Sequence, residues 1–217
     1  MSTKTKAILF DLDGTLWDSS QAVVDSWNEI IETLPDFHKK ITLEDMQSLM
    51  GKTMDDIAYS YFTTVSKERA LEIMQLCMDY ENNYIERHGG ILFEKLEETL
   101  KELSKRYFLA IVSNCQTGYI EAFLSYHGLE DYFEDHECFG NTLLPKSGSI
   151  SVLLERNEIN PEDAIYLGDV EGDYVAATDA DVRFVHAGYG YGLIPQADYR
   201  IESFEELIPM ADQLLGE

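Results

Sequence analysis

The chain has 217 residues, 45% hydrophobic and 26% charged, enough apolar material for a packed core in one large domain or two small ones. Its 16 Lys and Arg stand against 41 Asp and Glu, a formal net charge of −25. That is the wrong sign for a nucleic-acid binder, and no apolar run is long enough to span a bilayer.

The acids are scattered rather than blocked and read as solvated helix faces. The first residues, MSTKTKAILFDLDG, carry only a short apolar stretch that runs straight into acid, which is not the shape of a secretory signal. Cys77, Cys115 and Cys138 show no CxxC spacing and read as free thiols of a reducing compartment. The expected location is therefore cytoplasmic.

Ala7–Phe10 reads as a buried strand. A helix is expected over Ser19–Leu34, with Ser19 or Ser20 as cap and apolar residues at helical spacing from Val23 to Leu34. Leu43–Met50, Met54–Val65 and Lys67–Arg87 continue as helices, with Gly51 between two of them and Ser66 capping the last. His88-Gly89-Gly90 marks a hinge. Beyond it helix and strand alternate: helices at Glu94–Lys105, Thr117–Tyr126, Ser149–Arg156, Gly172–Thr178 and Phe204–Leu215, and strands at Phe108–Val112, Glu137–Phe139, Ala164–Leu167 and Val182–His186. Such alternation predicts an α/β fold with a Rossmann-like parallel sheet. The first strand belongs to that series, so the four helices are an insertion. The expected organisation is a discontinuous core of residues 1–17 and 90–217 with a helical cap domain of residues 18–89.

Ligands of open α/β sheets bind beyond the carboxyl ends of the strands. Asp11 and Asp13 follow the first strand, Ser113 and Asn114 the second, a loop bearing Lys146 the third, and Asp169 with Asp173 the fourth. In an extended segment Asp11 and Asp13 share one face and are expected to meet Asp169. Clustered carboxylates repel and raise one another's pKa unless a cation offsets them. An oxygen-only donor set selects a hard ion, here Mg2+. A phosphate is then the natural guest, with Lys146 and Ser113 on its oxygens. One carboxylate can attack phosphorus while the other handles the proton.

The ordered pieces "DLDGT" (Asp11–Thr15), "VSN" (Val112–Asn114), Lys146 and "GDVEGD" (Gly168–Asp173) resemble the haloacid dehalogenase superfamily. The helical insertion is similar to the cap of its phosphoglycolate phosphatase and β-phosphoglucomutase branch. The resemblance implies Asp11 as the nucleophile that becomes an aspartyl phosphate, and Asp13 as the acid and base. It implies Mg2+ on the Asp11 carboxylate, the Asp13 carbonyl and Asp169, with Asp173 supporting them. Ser113, the Asn114 N–H and Lys146 would hold the phosphoryl group, Thr15 would orient Asp13 or its neighbours, and Lys52 in the cap loop would touch substrate. The implied activity is a Mg2+-dependent phosphatase for a small phosphorylated metabolite, as a monomer or homodimer. A sugar-phosphate mutase and an inorganic pyrophosphatase are the enzyme alternatives. An inactive metabolite binder or a receiver-like signalling domain is the alternative outside catalysis.

The chain departs from the family pattern in places. Lys146 is followed by Ser147 rather than proline, and Asp181 stands where relatives often carry glycine, a position that reads as structural. Val23 and Met54 occupy the places of the mutases' histidine and arginine, which favours hydrolysis. Trp17 and Cys115 read as packing residues, the latter because no histidine partner is evident. Asn141-Thr142, Glu171 and the glycine-rich His186–Gly192 stretch are read as bordering the site at most; the last is not a dinucleotide loop.

Overall fold

The computed structural model describes residues 4–216; the first three residues and the last residue of the expected core lie outside that range. In chain order the elements are β1 (Ala7–Phe10), β2 (Trp17–Asp18), α1 (Ser20–Thr33), α2 (Leu43–Leu49), α3 (Met54–Tyr61), α4 (Lys67–His88), β3 (Ile91–Leu92), α5 (Leu96–Leu103), β4 (Phe108–Ser113) and α6 (Tyr119–His127). There follow β5 (Asp135–Cys138), α7 (Phe139–Thr142), α8 (Lys146–Arg156), β6 (Ala164–Gly168), α9 (Glu171–Asp179), β7 (Arg183–Ala187), β8 (Arg200–Ile201) and α10 (Leu207–Leu215).

Six strands form one parallel sheet in the order β5-β4-β1-β6-β7-β8. All four residues of β1 are fully buried, as a central strand covered on both faces requires. Alternation sorts its side chains. Ile8 and Phe10 join Leu100, Phe123 and Leu207 on the face covered by α5, α6 and α10. Ala7 and Leu9 join Ile150, Leu153 and Ala177 on the face covered by α8 and α9. From β1 the chain builds outward to β4 and β5, then crosses to β6 on the other side of β1. That reversal opens a crevice at the carboxyl ends of β1 and β6.

Helices α1–α4 hold a separate hydrophobic core around Trp27, Ile31, Phe37, Phe62 and Ile73. The Ser66 hydroxyl caps α4 by accepting from the Arg69 N–H. The two connections between this block and the sheet pair with each other as an antiparallel ribbon, Trp17 opposite Leu92 and Asp18 opposite Ile91, which two-residue strands do not announce in sequence. The expected hinge is where the chain needs glycine. Gly89 has φ +61, and a Cβ there would lie 2.0 Å from the Tyr126 ring.

Three expectations shift. The strand expected at Glu137–Phe139 is Asp135–Cys138. Its polar edge hid it, because Asp135 and Glu137 are paired with Arg156 of α8. Phe139 instead opens α7. Helix α8 begins at Lys146 directly after Pro145, so the lysine sits on a helix rather than in a loop. Ser19 stands at the start of α1 but makes no cap bond, because its hydroxyl is donated to Asp13. Asp181 adopts φ +57, the left-handed conformation that explains why glycine suits that position.

Candidate active site

The carboxyl ends of β1 and β6 and the first turn of α8 converge on one buried cluster. The Lys146 ammonium, on a side chain only 4% exposed, lies 2.7 Å from Asp11 Oδ1 and 2.5 Å from Asp173 Oδ1. Asp11, Asp169 and Asp173 each bring a carboxylate oxygen to within 4.8 Å of the others. Backbone bonds fix this arrangement. The Asp11 N–H donates to the Leu167 carbonyl at 2.9 Å, and Asp173 Oδ2 accepts from the N–H groups of Asp169 and Val170 at 3.1 Å. The Tyr191 N–H donates to Asp169 Oδ2 at 2.7 Å, and the Thr15 hydroxyl reaches Asp169 Oδ1 at 3.4 Å. Thr15 therefore orients Asp169. The glycine-rich stretch also presses on this acid: a Cβ on Gly190 would lie 2.3 Å from that of Asp169.

Asp13 does not share that cluster. The strand ends at Phe10 and the chain turns through Gly14 at φ +82; Asp13 lines the same cleft as Asp11 but is not among the carboxylates that gather with Asp169. Asp13 Oδ1 instead accepts from Ser19 Oγ at 2.5 Å, Trp17 Nε1 at 3.0 Å and Tyr119 Oη at 3.0 Å. Trp17 is fully buried against Phe123 and Tyr119, so it both packs and donates. Ser19 closes the local stretch DLDGTLWDS, whereas Tyr119 has no motif signal and only the fold brings it to Asp13.

Burial raises all three strand-end acids. Asp11 is pushed up to about 7, first by desolvation and then by the Asp173 charge, against the lowering effect of Lys146. Asp169 is raised well above the carboxylate range by burial and by Asp173 and Asp11. Asp13 is raised by burial, partly offset by its three donors. Three carboxylates facing one ammonium leave a surplus of negative charge, and the donors are all oxygen. These residues fit a hard divalent cation.

A cleft of about 460 Å3, including its open mouth, lies between the four-helix block and the sheet. Asp11, Asp13, Ser113 and Asn114 line its floor, and Lys52, Gly51, Trp27 and Glu81 come from the helices. The Asn114 amide donates to the Gly51 carbonyl at 2.8 Å, joining floor to block. Lys52 lies on the exposed rim. Cys115 is buried with its thiol pushed up by desolvation, an inert state. Glu171 is exposed and outside the acidic cluster. Asn141 and Thr142 brace Thr117 and Ser149 rather than line the cleft.

A sequence model of haloacid dehalogenase-like hydrolases matches residues 8–187. The chain belongs to this family. It is 27% identical over 197 residues to a phosphoglycolate phosphatase of Vibrio vulnificus, covering 86% of this chain and 85% of the relative. It is 24% identical over 222 residues to the pyrophosphatase PpaX of Bacillus cereus, covering 97% and 98%. Among solved structures it resembles a haloacid dehalogenase-like hydrolase of Streptococcus pneumoniae, with TM-score 0.82, 24% identity and coverage of 96% and 99%. It also resembles a subfamily IA hydrolase of Geobacter sulfurreducens, with TM-score 0.72, 25% identity and coverage of 97% and 99%. Among the described residues no helix is long and apolar enough to cross a membrane.

Proposed function

We propose that this family member is a Mg2+-dependent phosphatase of a small phosphorylated metabolite, working through a phosphorylated Asp11. The observation that carries the reading is the buried Lys146 ammonium bridging Asp11 and Asp173 beside Asp169. Asp11 and Asp169, with the Asp13 carbonyl, would hold the ion, and Asp173 anchors the loop that carries Asp169. When bound, the ion supplies positive charge to the carboxylates and to the phosphate oxygens.

Asp11 attacks phosphorus. An O–P bond forms to its carboxylate as the ester O–P bond breaks, and Asp13 gives its proton to the leaving oxygen. Asp13 suits this step because its three donors all engage Oδ1, leaving Oδ2 to carry the proton that burial favours. Water then attacks the acyl phosphate, Asp13 takes its proton, and Asp11 is regenerated as phosphate leaves. Ser113, the Asn114 N–H and Lys146 hold the phosphoryl oxygens. Residues 18–89 act as the cap that excludes bulk water, with Lys52 on the substrate side. Val23 and Met54 line the cleft without offering a base or a cation, which favours a phosphatase over a mutase.

The test is phosphate release from a panel of phosphorylated metabolites with and without Mg2+, repeated with Asp11→Asn. Mg2+-dependent release that Asp11→Asn abolishes supports the reading. Release that survives in a folded Asp11→Asn protein refutes the assignment of the nucleophile.

A further inference from the structure

The cleft carries buried hydrogen-bond acceptors to which no protein group donates. Gln116 is only 7% exposed. Its amide Nε2 donates to Glu81 Oε1 at 3.2 Å and to Asn82 Oδ1 at 3.0 Å. Asn82 Oδ1 can only accept, because the Asn82 amide itself donates to the Thr117 carbonyl at 2.9 Å, so the orientation of the Gln116 amide is fixed and Gln116 Oε1 is left buried with no protein donor. Asn114 repeats the pattern. Its Nδ2 is committed to the Gly51 carbonyl at 2.8 Å, and its Oδ1 is buried and unpartnered. Glu81, 3% exposed, adds a carboxyl group held by the Trp27 indole N–H and Gln116. Gln116, Asn114 and Glu81 all line the cleft that contains Asp11 and Asp13.

Buried acceptors without partners are rare in folded proteins, and a ligand that brings donors relieves them. A ligand that brings only further acceptors does not. The one cationic side chain among the residues lining the cleft, Lys52, sits on its exposed rim, so a second anionic group deeper in the cleft would meet no buried counter-charge.

We propose that the leaving group is an uncharged, hydroxyl-bearing alcohol whose hydroxyls donate to Gln116 Oε1 and Asn114 Oδ1 beside Glu81. Sugar and polyol phosphates are then preferred over phosphoglycolate and pyrophosphate. The inference rests on the phosphatase reading for the reaction, but binding alone can test it.

Asp11→Asn protein with Mg2+ is titrated calorimetrically with glucose 6-phosphate, glycerol 3-phosphate, phosphoglycolate and pyrophosphate, and wild-type phosphate release is measured on the same four. One of the two hydroxyl-bearing ligands is expected to bind at least about tenfold more tightly than either anionic one. Gln116→Met, which keeps length and removes the acceptor, is expected to cut that preference to about threefold or less. Equal or tighter binding of phosphoglycolate or pyrophosphate, or no binding of any ligand, overturns the inference. If Asp11→Asn does not fold, the wild-type ratios of kcat/KM decide the same question. Absence of release from every compound refutes the phosphatase reading, while the binding ratios still decide this one.

Discussion

Replacing Glu81 by Gln should change how stability depends on pH. Glu81 lies on α4 with both oxygens engaged, and burial raises its pKa to about 8; its two donors lower it and the Asp13 charge raises it. Its ordinary value is 4.5. Between those two values the unfolded chain ionises this carboxyl and the folded chain does not. Stability from this group is therefore fully present below the unfolded pKa and is lost as pH rises towards the folded one. One proton changes the unfolding free energy by at most about 1.4 kcal/mol per pH unit, or about 2.7 kcal/mol between roughly pH 5.5 and 7.5. Glu81→Gln removes that dependence. It also costs one of the two accepted hydrogen bonds, because the new amide turns a donor towards the Trp27 indole or the Gln116 amide. That loss of about 1 kcal/mol is independent of pH. The assay is urea unfolding of both proteins across this range. The variant should gain on the wild type by up to about 2.7 kcal/mol as pH rises. A difference that stays constant across the range would refute the buried, neutral carboxyl.

Three further outcomes follow from the site. Lys146→Met leaves Asp11 and Asp173 buried and unpaired; it should abolish turnover and destabilise the fold by about 3–5 kcal/mol, read by urea unfolding. Tyr119→Phe removes one of the three donors to Asp13; kcat should fall about tenfold and the limb of the pH profile set by Asp13 should move to higher pH, because a lost donor raises a carboxyl further. An unmoved profile would show that Asp13 does not set that limb. Saturating Mg2+ should stabilise the protein by about 2.7 kcal/mol at a hundredfold excess over Kd, and Asp169→Asn should remove most of that gain. A melting temperature indifferent to Mg2+ would count against the metal site.

Much of this site was legible in the sequence because the α/β fold delivers strand-end residues to one edge. Four short motifs mark where β1, β4, α8 and β6 end or begin; Asp11, Lys146 and Asp169 meet as that rule requires, and Ser113 lines the cleft beside Asp11. What was not legible depends on packing between segments far apart in the chain. Glu81 on α4 and Gln116 after β4 have no periodic or motif signal that separates them from solvated polar residues, and they meet only because the helical block lies over the sheet. The strand at Asp135–Cys138 lacks an apolar pattern at its start because its polar side chains are paired with Arg156, a partner invisible to local pattern. The two-residue strands β2 and β3 carry no pattern at all and exist only as each other's partner.

Asp11 and Asp13 show how two carboxylates separated by one residue acquire different chemistry. Both are buried and both are raised by desolvation. Their partners then divide them. Asp11 faces an ammonium and two further carboxylates, a setting in which a cation favours its charged form. Asp13 faces three neutral donors on a single oxygen, a setting that positions the carboxyl without demanding its charge. The turn at Gly14 makes the difference. It folds the chain back so that Trp17 and Ser19 reach Asp13, with the Gly14 N–H donating to the Trp17 carbonyl at 2.9 Å. A Cβ on Gly14 would lie 2.3 Å from Asp169 Oδ2, so any other residue there would disturb both settings at once. The "DLDGT" spacing thus encodes more than two acids: it carries the bend that gives the two carboxylates the different settings that the proposed nucleophile and proton carrier need.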